Sequence, residues 1–161
     1  MTFRSYGHKP WGHYLNIFDA SYTKVKEICI KPGESPSYQY HHKRSEIWVI
    51  VKGTAEVKLD GEVKTYGVGD VIHIPVKSKH QAKNVGDEDL VFIEVQLGEY
   101  FGEDDIVRLE DKYGRGSVNI ETGEFISEDP IPTGPDSVEL PKLEKDEPAK
   151  EAKKSKKESK K

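Results

Sequence analysis

Six glycines, Gly33, Gly53, Gly61, Gly67, Gly69 and Gly86, cut the chain between residues 33 and 86 into short stretches with no helical period. Stretches of this length between turn residues read as strands. Residues 54–59 alternate, with Ala55, Val57 and Leu59 on one face and Thr54, Glu56 and Lys58 on the other. Asp60-Gly61 follows, the strongest short-range signal for a two-residue hairpin, and residues 62–66 form its return strand. Residues 46–52 are almost continuously apolar, which predicts a strand buried on both faces. Residues 71–75 and 90–96 predict two further short strands, and residues 102–109 one helical turn. The fold class expected is all-β, a sandwich or small barrel.

Composition divides the 161 residues into a domain at 1–128 and a tail at 129–161. The tail holds 9 Lys and 8 Asp or Glu, a net of +1 that leaves −5 for residues 1–128. Five of the nine prolines fall in it, and from Glu151 onward nothing larger than alanine could join a core. Such a segment cannot bury enough surface to offset its ordering entropy, so it is expected to be disordered. Its basic end could touch RNA or an acidic partner, but a solvated extension is the favoured reading. The overall net charge of −4 argues against nucleic-acid binding by the folded part. No apolar run approaches the roughly 18 residues of a membrane span. The first residues lack the apolar core of a secretory signal. Cys29 is the single cysteine, which rules out an internal disulfide and a cysteine-based zinc site and suits a reducing cytoplasm. Inside the apolar Ile28-Cys29-Ile30, it reads as a buried hydrophobe.

The residues that could carry chemistry cluster early. Gln39 and His41 lie two apart in a strand-like segment, residues 37–42, and so share a face. Glu46 follows after a short loop, and His80 comes from a distant segment just after Pro75. Two imidazoles, a carboxylate and an amide oxygen make a nitrogen and oxygen donor set for a divalent transition metal, with positions left open for a ligand. The alternative is a polar strand end with no metal.

The spacing goes further. Gly33, Gln39, His41, Glu46 and Gly53, separated by five, one, four and six residues, resemble the first cupin motif, with Gln39 in place of its first histidine. Gly69, Pro75, His80 and Asn84, separated by five, four and three residues, resemble the second, and fifteen residues separate the two motifs. Lys9-Pro-Trp-Gly-His-Tyr14 looks like the opening of type II phosphomannose isomerases. So do Gln39-x-His41-x-x-Arg44-x-Glu46-x-Trp48, Gly53-Thr-Ala55, Ile93-Glu-Val-Gln96, Gly102-Glu-Asp-Asp-Ile-Val-Arg108 and Asp111-x-Tyr113-Gly-Arg115 in their places. The resemblance runs from residue 9 to 115. It implies a single-domain jelly-roll cupin and a metal-dependent interconversion of mannose 6-phosphate and fructose 6-phosphate through an enediolate. The bound metal would be zinc first, with Mn, Fe, Co or Ni as alternatives. The nucleotidyltransferase domain that many members carry is absent from these residues. Lys43 and Ile47 stand where members often have histidines, and Lys77 where they have glycine.

For such a reaction the resemblance implies Gln39, His41, Glu46 and His80 as metal ligands. A general base must reach a carbon-bound proton; Glu94, His42 and Lys43 are the candidates. Glu94 faces away from Ile93 and Val95, into the barrel or out to solvent with equal expectation. Arg44 and Arg108 are expected at the sugar phosphate, because the guanidinium fork suits that group and both lie in motif segments; Lys43 comes next. The competing reading for Arg108 is an ion pair with Asp104 or Asp105, and for Arg44 a pair with a nearby carboxylate that holds its loop. Trp11 and Trp48 are expected in the core, and His8, His13 and His73 as ordinary histidines. Partners expected are a sugar-phosphate substrate and, as in many cupins, a second copy of the chain. The alternative function is a non-catalytic cupin that binds a sugar or sugar nucleotide. A cupin oxygenase is disfavoured by Gln39, since those sites hold iron through three histidines and a carboxylate.

Overall fold

The computed structural model describes residues 5–114 together with the short strands at 117–118, 125–126 and 137–139. Its strands are β1 (Ser5–Lys9), β2 (Gly12–Ala20), β3 (Thr23–Ile30), β4 (Tyr38–His41), β5 (Arg44–Lys52), β6 (Ala55–Leu59) and β7 (Glu62–Tyr66). They continue with β8 (Val71–Ile74), β9 (His80–Asn84), β10 (Leu90–Gly98), β11 (Ile106–Glu110), β12 (Ser117–Val118), β13 (Phe125–Ile126) and β14 (Ser137–Glu139). Two sheets carry the fold. One runs β14-β1-β2-β3-β10-β5-β8 and the other β11-β4-β9-β6-β7, and every pairing is antiparallel. This is the all-β jelly roll expected.

The inner faces follow the pleat. Along β5, Arg44, Glu46, Trp48 and Ile50 are buried, and along β10 Leu90, Phe92, Glu94 and Gln96. The core between the sheets is built on Ile28, Ile30, Trp48, Ile50, Leu90 and Phe92 from one sheet and Ala55, Val57 and Ala82 from the other. Cys29 is also buried, which raises its thiol pKa. At the β6–β7 turn Asp60 and Gly61 have φ of 48° and 90°, the two positive values a type I′ hairpin requires. Gly53 has φ 79°, and a Cβ there would lie 2.9 Å from the Asp89 carbonyl oxygen.

Two expectations are corrected, and a third falls outside the described residues. Residues 46–52 are not buried on both faces: Ile47 and Val49 are half-buried and Val51 is exposed. The apolar run reflected strand propensity, not two covered faces. The helical turn expected over 102–109 is a 3₁₀ turn at Glu103–Asp105 that gives way to β11, which finds a partner in β4. The disordered tail expected over 129–161 lies outside the described residues, apart from Ser137–Glu139, which pairs with β1. The domain boundary at 128 also lies outside them.

Candidate metal centre

The chain passes from one sheet to the other at His42-Lys43. β4 belongs to the five-stranded sheet and β5 to the seven-stranded sheet, so His41 and Glu46 approach from opposite walls. Asp105 braces this corner: its two carboxylate oxygens accept the backbone N–H groups of His42 and Lys43, at 3.2 and 3.0 Å. His80 opens β9, beside β4, and is the register partner of Gln39. The turn before it is made by Lys77, at φ 66°, whose N–H donates to the His41 carbonyl at 2.8 Å. A residue other than glycine thus holds that left-handed position.

His41, Glu46 and His80 are all buried, and their ligand atoms lie within 4.8 Å of one another. They form a group able to hold a metal ion. His41 Nε2 is 3.1 Å from Glu46 Oε1, and His80 Nε2 is 3.6 Å from Glu46 Oε2. Yet both Nε2 atoms, and His41 Nδ1, are buried without a hydrogen-bond partner. Buried polar atoms are seldom left so, and one nitrogen from each histidine converging with the Glu46 carboxylate fits an ion. The His80 tautomer agrees: Nδ1 lies 2.9 Å from the Ser78 carbonyl oxygen, an acceptor, so Nδ1 carries the proton and Nε2 offers its lone pair. Burial holds the His80 pKa down, which keeps the ring neutral. Burial alone would raise the Glu46 pKa, but His41, His80 and Arg44 outweigh it and keep the carboxyl ionised. Gln39 accepts from Ser37 Oγ at 2.7 Å and lines the same pocket.

Two residues set the Glu46 carboxylate. Arg44 Nε donates to Oε1 at 3.2 Å and Trp48 Nε1 to Oε2 at 3.0 Å. Arg44 thus pairs with a nearby carboxylate. It is buried, bound to Glu46 and to the Gly102 carbonyl at 3.2 Å, the loop-holding alternative, while still lining the pocket. Trp48 is both core and pocket wall, as is Trp11.

The donor group opens onto a pocket between the two sheets. Arg108 lines it from β11, opposite Gln39 in register. Glu94 also lines it, which settles its direction: inward. Its pKa is pushed up to about 7, first by burial and then by the Glu46 carboxylate. Gln96 Nε2 donates to its Oε1 at 2.6 Å. Lys43 is not in the pocket. Arg44 turns inward, so its neighbour turns out, and Lys43 is exposed with its ammonium 5.1 Å from the Tyr100 ring centre. His42 is likewise exposed, its ring edge-on to Tyr40. Neither lines the pocket.

Sequence reasoning missed Lys26, Lys9 and Glu103, which also line the pocket. Lys26 was legible in principle: it shares the face of Ile28 and Ile30, where a lysine is out of place. Asn84, at the end of the second motif, lies apart from the chemistry. Its side chain donates to the carbonyls of Ile30 and Glu88, at 2.8 and 2.7 Å, and so ties loops together.

A family model described as mannose-6-phosphate isomerase, C-terminal, matches residues 1–111. The mannose-1-phosphate guanylyltransferase ManC of Salmonella typhimurium is 48% identical over 108 residues, 67% of this chain and 22% of its own length. The alginate biosynthesis protein AlgA of Pseudomonas putida is 47% identical over 116 residues, 72% of this chain and 24% of its own. A solved Klebsiella pneumoniae protein with a double-stranded β-helix domain superposes with a TM-score of 0.54 at 22% identity, over 60% of this chain and 77% of that one; it speaks for the fold alone. The chain spans less than a quarter of the ManC and AlgA relatives, and the Salmonella relative bears the name of an enzyme, a guanylyltransferase. They correct the expected function. The relatives are named for guanylyl transfer and polysaccharide biosynthesis, not for a metal-dependent mannose 6-phosphate and fructose 6-phosphate interconversion.

Proposed function

The chain belongs to the mannose-6-phosphate isomerase C-terminal family, a cupin family, and from that premise we propose that it is a metal-holding domain that binds a phosphorylated hexose of the mannose class. The observation that carries this reading is the lining of one pocket: the donors Gln39, Glu46 and His80 beside the cations Lys9, Lys26, Arg44 and Arg108. Against those four positive charges stand Glu46, Glu103 and the half-protonated Glu94, so a divalent ion leaves the pocket strongly positive. An anionic ligand balances it. Zinc is the first choice for the ion, with Mn, Fe, Co or Ni as alternatives. When bound, the ion supplies a Lewis acid that polarises a sugar oxygen.

The chain's own residues do the rest. Arg44 and Trp48 hold Glu46 in one orientation. Lys9, Lys26 and Arg108 offer cations to the phosphate. Glu94, with a pKa near neutrality, can exchange a proton with a sugar hydroxyl. The apolar faces of Trp11, Trp48 and Phe92 exclude water from the floor of the pocket. The buried thiol of Cys29 suits the reducing cytoplasm. Isothermal titration of metal-loaded protein with mannose 1-phosphate, mannose 6-phosphate and mannose tests the reading. Binding of a phosphorylated sugar, absent with mannose and absent after EDTA treatment, is expected. Equal binding of all three, or of none, overturns it.

A further inference from the structure

Lys26 is buried in the middle of the seven-stranded sheet, the register partner of Glu94 on β10. Its ammonium lies 3.0 Å from Glu103 Oε1 and 5.0 Å from the centre of the Tyr14 ring. The Lys9 ammonium approaches the same ring, at 5.7 Å. Glu103 has a different setting. It sits on the 3₁₀ turn beside the pocket, and 57% of its side chain is exposed. The pair thus joins a buried cation to a carboxylate that already reaches water. The turn does not depend on this pair, because Gly102 is held by Arg44, and Asp105 by the backbone of His42 and Lys43. Glu103 can release Lys26 while its neighbours stay anchored.

We propose that Lys26 is the phosphate-binding lysine of the pocket and that Glu103 is the protein's own competitor for it, displaced by a phosphate monoester. A buried ammonium without a counter-charge is strongly disfavoured, so Lys26 needs an oxyanion partner throughout. A phosphate carries about −1.5 to −2 charges near pH 7 and three acceptor oxygens, against one charge on a carboxylate, and it can engage Lys9 as well. Glu103, once released, is resolvated at little cost because it is half in water. Arg44 is a poorer phosphate partner, since its Nε and Nη1 are already committed. A neutral sugar has nothing to offer Lys26 in exchange for Glu103, so the swap selects for phosphorylated ligands. The inference rests on the sugar-phosphate reading only for what carries the phosphate.

The test uses the full metal-loaded chain, with metal content equalised across variants. Binding of inorganic phosphate and of mannose 6-phosphate is measured calorimetrically in wild type, Glu103→Gln, Lys26→Met and the double variant. Glu103→Gln removes a partly exposed competitor and is expected to tighten phosphate binding about two- to fivefold. Lys26→Met removes a charge-assisted contact and is expected to weaken it about ten- to a hundredfold. In the double variant the gain from Glu103→Gln should vanish, because it acts through Lys26. Unchanged or weaker binding in Glu103→Gln overturns the proposal, and so does a gain that survives Lys26→Met. Should Lys26→Met fail to fold, Glu103→Gln still decides. If the pattern holds for inorganic phosphate but mannose 6-phosphate binds no tighter, the subsite stands and the sugar reading falls.

Discussion

Glu94 and Trp48 show how single side chains tune the centre. The Glu94 pKa is pushed up to about 7, by burial first and by Glu46 second, against the opposing pull of Lys26, Arg44 and Gln96. In the unfolded chain a glutamic acid titrates near ~4.3. Between those values the native protein holds a proton that the unfolded chain has released. Stability from this group is therefore full below the lower value and is lost as pH rises through the upper one. In metal-free protein, wild type is expected to lose about 1–3 kcal/mol more than Glu94→Gln between about pH 4 and pH 8. Urea unfolding across that range reads the difference, and parallel curves would refute it. Trp48 presents a simpler case. Replacing it with Phe keeps the ring against Phe92, 4.7 Å between centres, but removes the donor to Glu46 Oε2. Metal affinity, read by competition with a chelating dye, should fall about ten- to a hundredfold with folding intact.

At the scale of elements, the corner between β4 and β5 decides whether a site exists, because it brings His41 and Glu46 onto facing walls. Its brace comes from far along the chain: Asp105 accepts two N–H groups at sequence separations of 63 and 62. Asp105→Ala leaves both without that partner. It is expected to lower stability by about 1–3 kcal/mol in denaturant unfolding. Since His41 and Arg44 flank the corner, it should also reduce retained metal on elemental analysis. Wild-type metal content in a measurably destabilised variant would show the corner holding itself. The β6–β7 hairpin is the opposite kind of element. Its two positive φ values are set locally, at Asp60-Gly61, although Asp60 also exchanges hydrogen bonds with Lys79, both at 2.8 Å.

For the molecule as a whole, the donor group links the two sheets, with His41 and His80 on one and Glu46 on the other. An ion that binds only the native arrangement stabilises it by mass action, about 2.7 kcal/mol at a hundredfold excess over its dissociation constant. The melting temperature should therefore rise on adding zinc to EDTA-treated protein, and His80→Ala should abolish the rise. A rise of full size in that variant would remove His80 from the ligand set. Several strands between residues 37 and 96, the hairpin and the spacing of the candidate ligands were legible in the sequence because each is a local pattern: period-two alternation, a dipeptide with two positive φ values, and offsets along one chain. Glu94's direction, Arg44's attachment to Glu46 and the pairing of Lys26 with Glu94 were not. Glu94 faces inward only because β10 pairs with β3 and β5 in one register, which sets Lys26 beside it across 68 residues of chain. Lys43 was misplaced for the same reason: whether a residue at the corner faces the pocket depends on the pleat of the strand that follows. Short-range periodicity assigns residues to faces, but which face meets the cavity is decided when strands far apart in sequence pair, and that pairing is a property of the folded sheet.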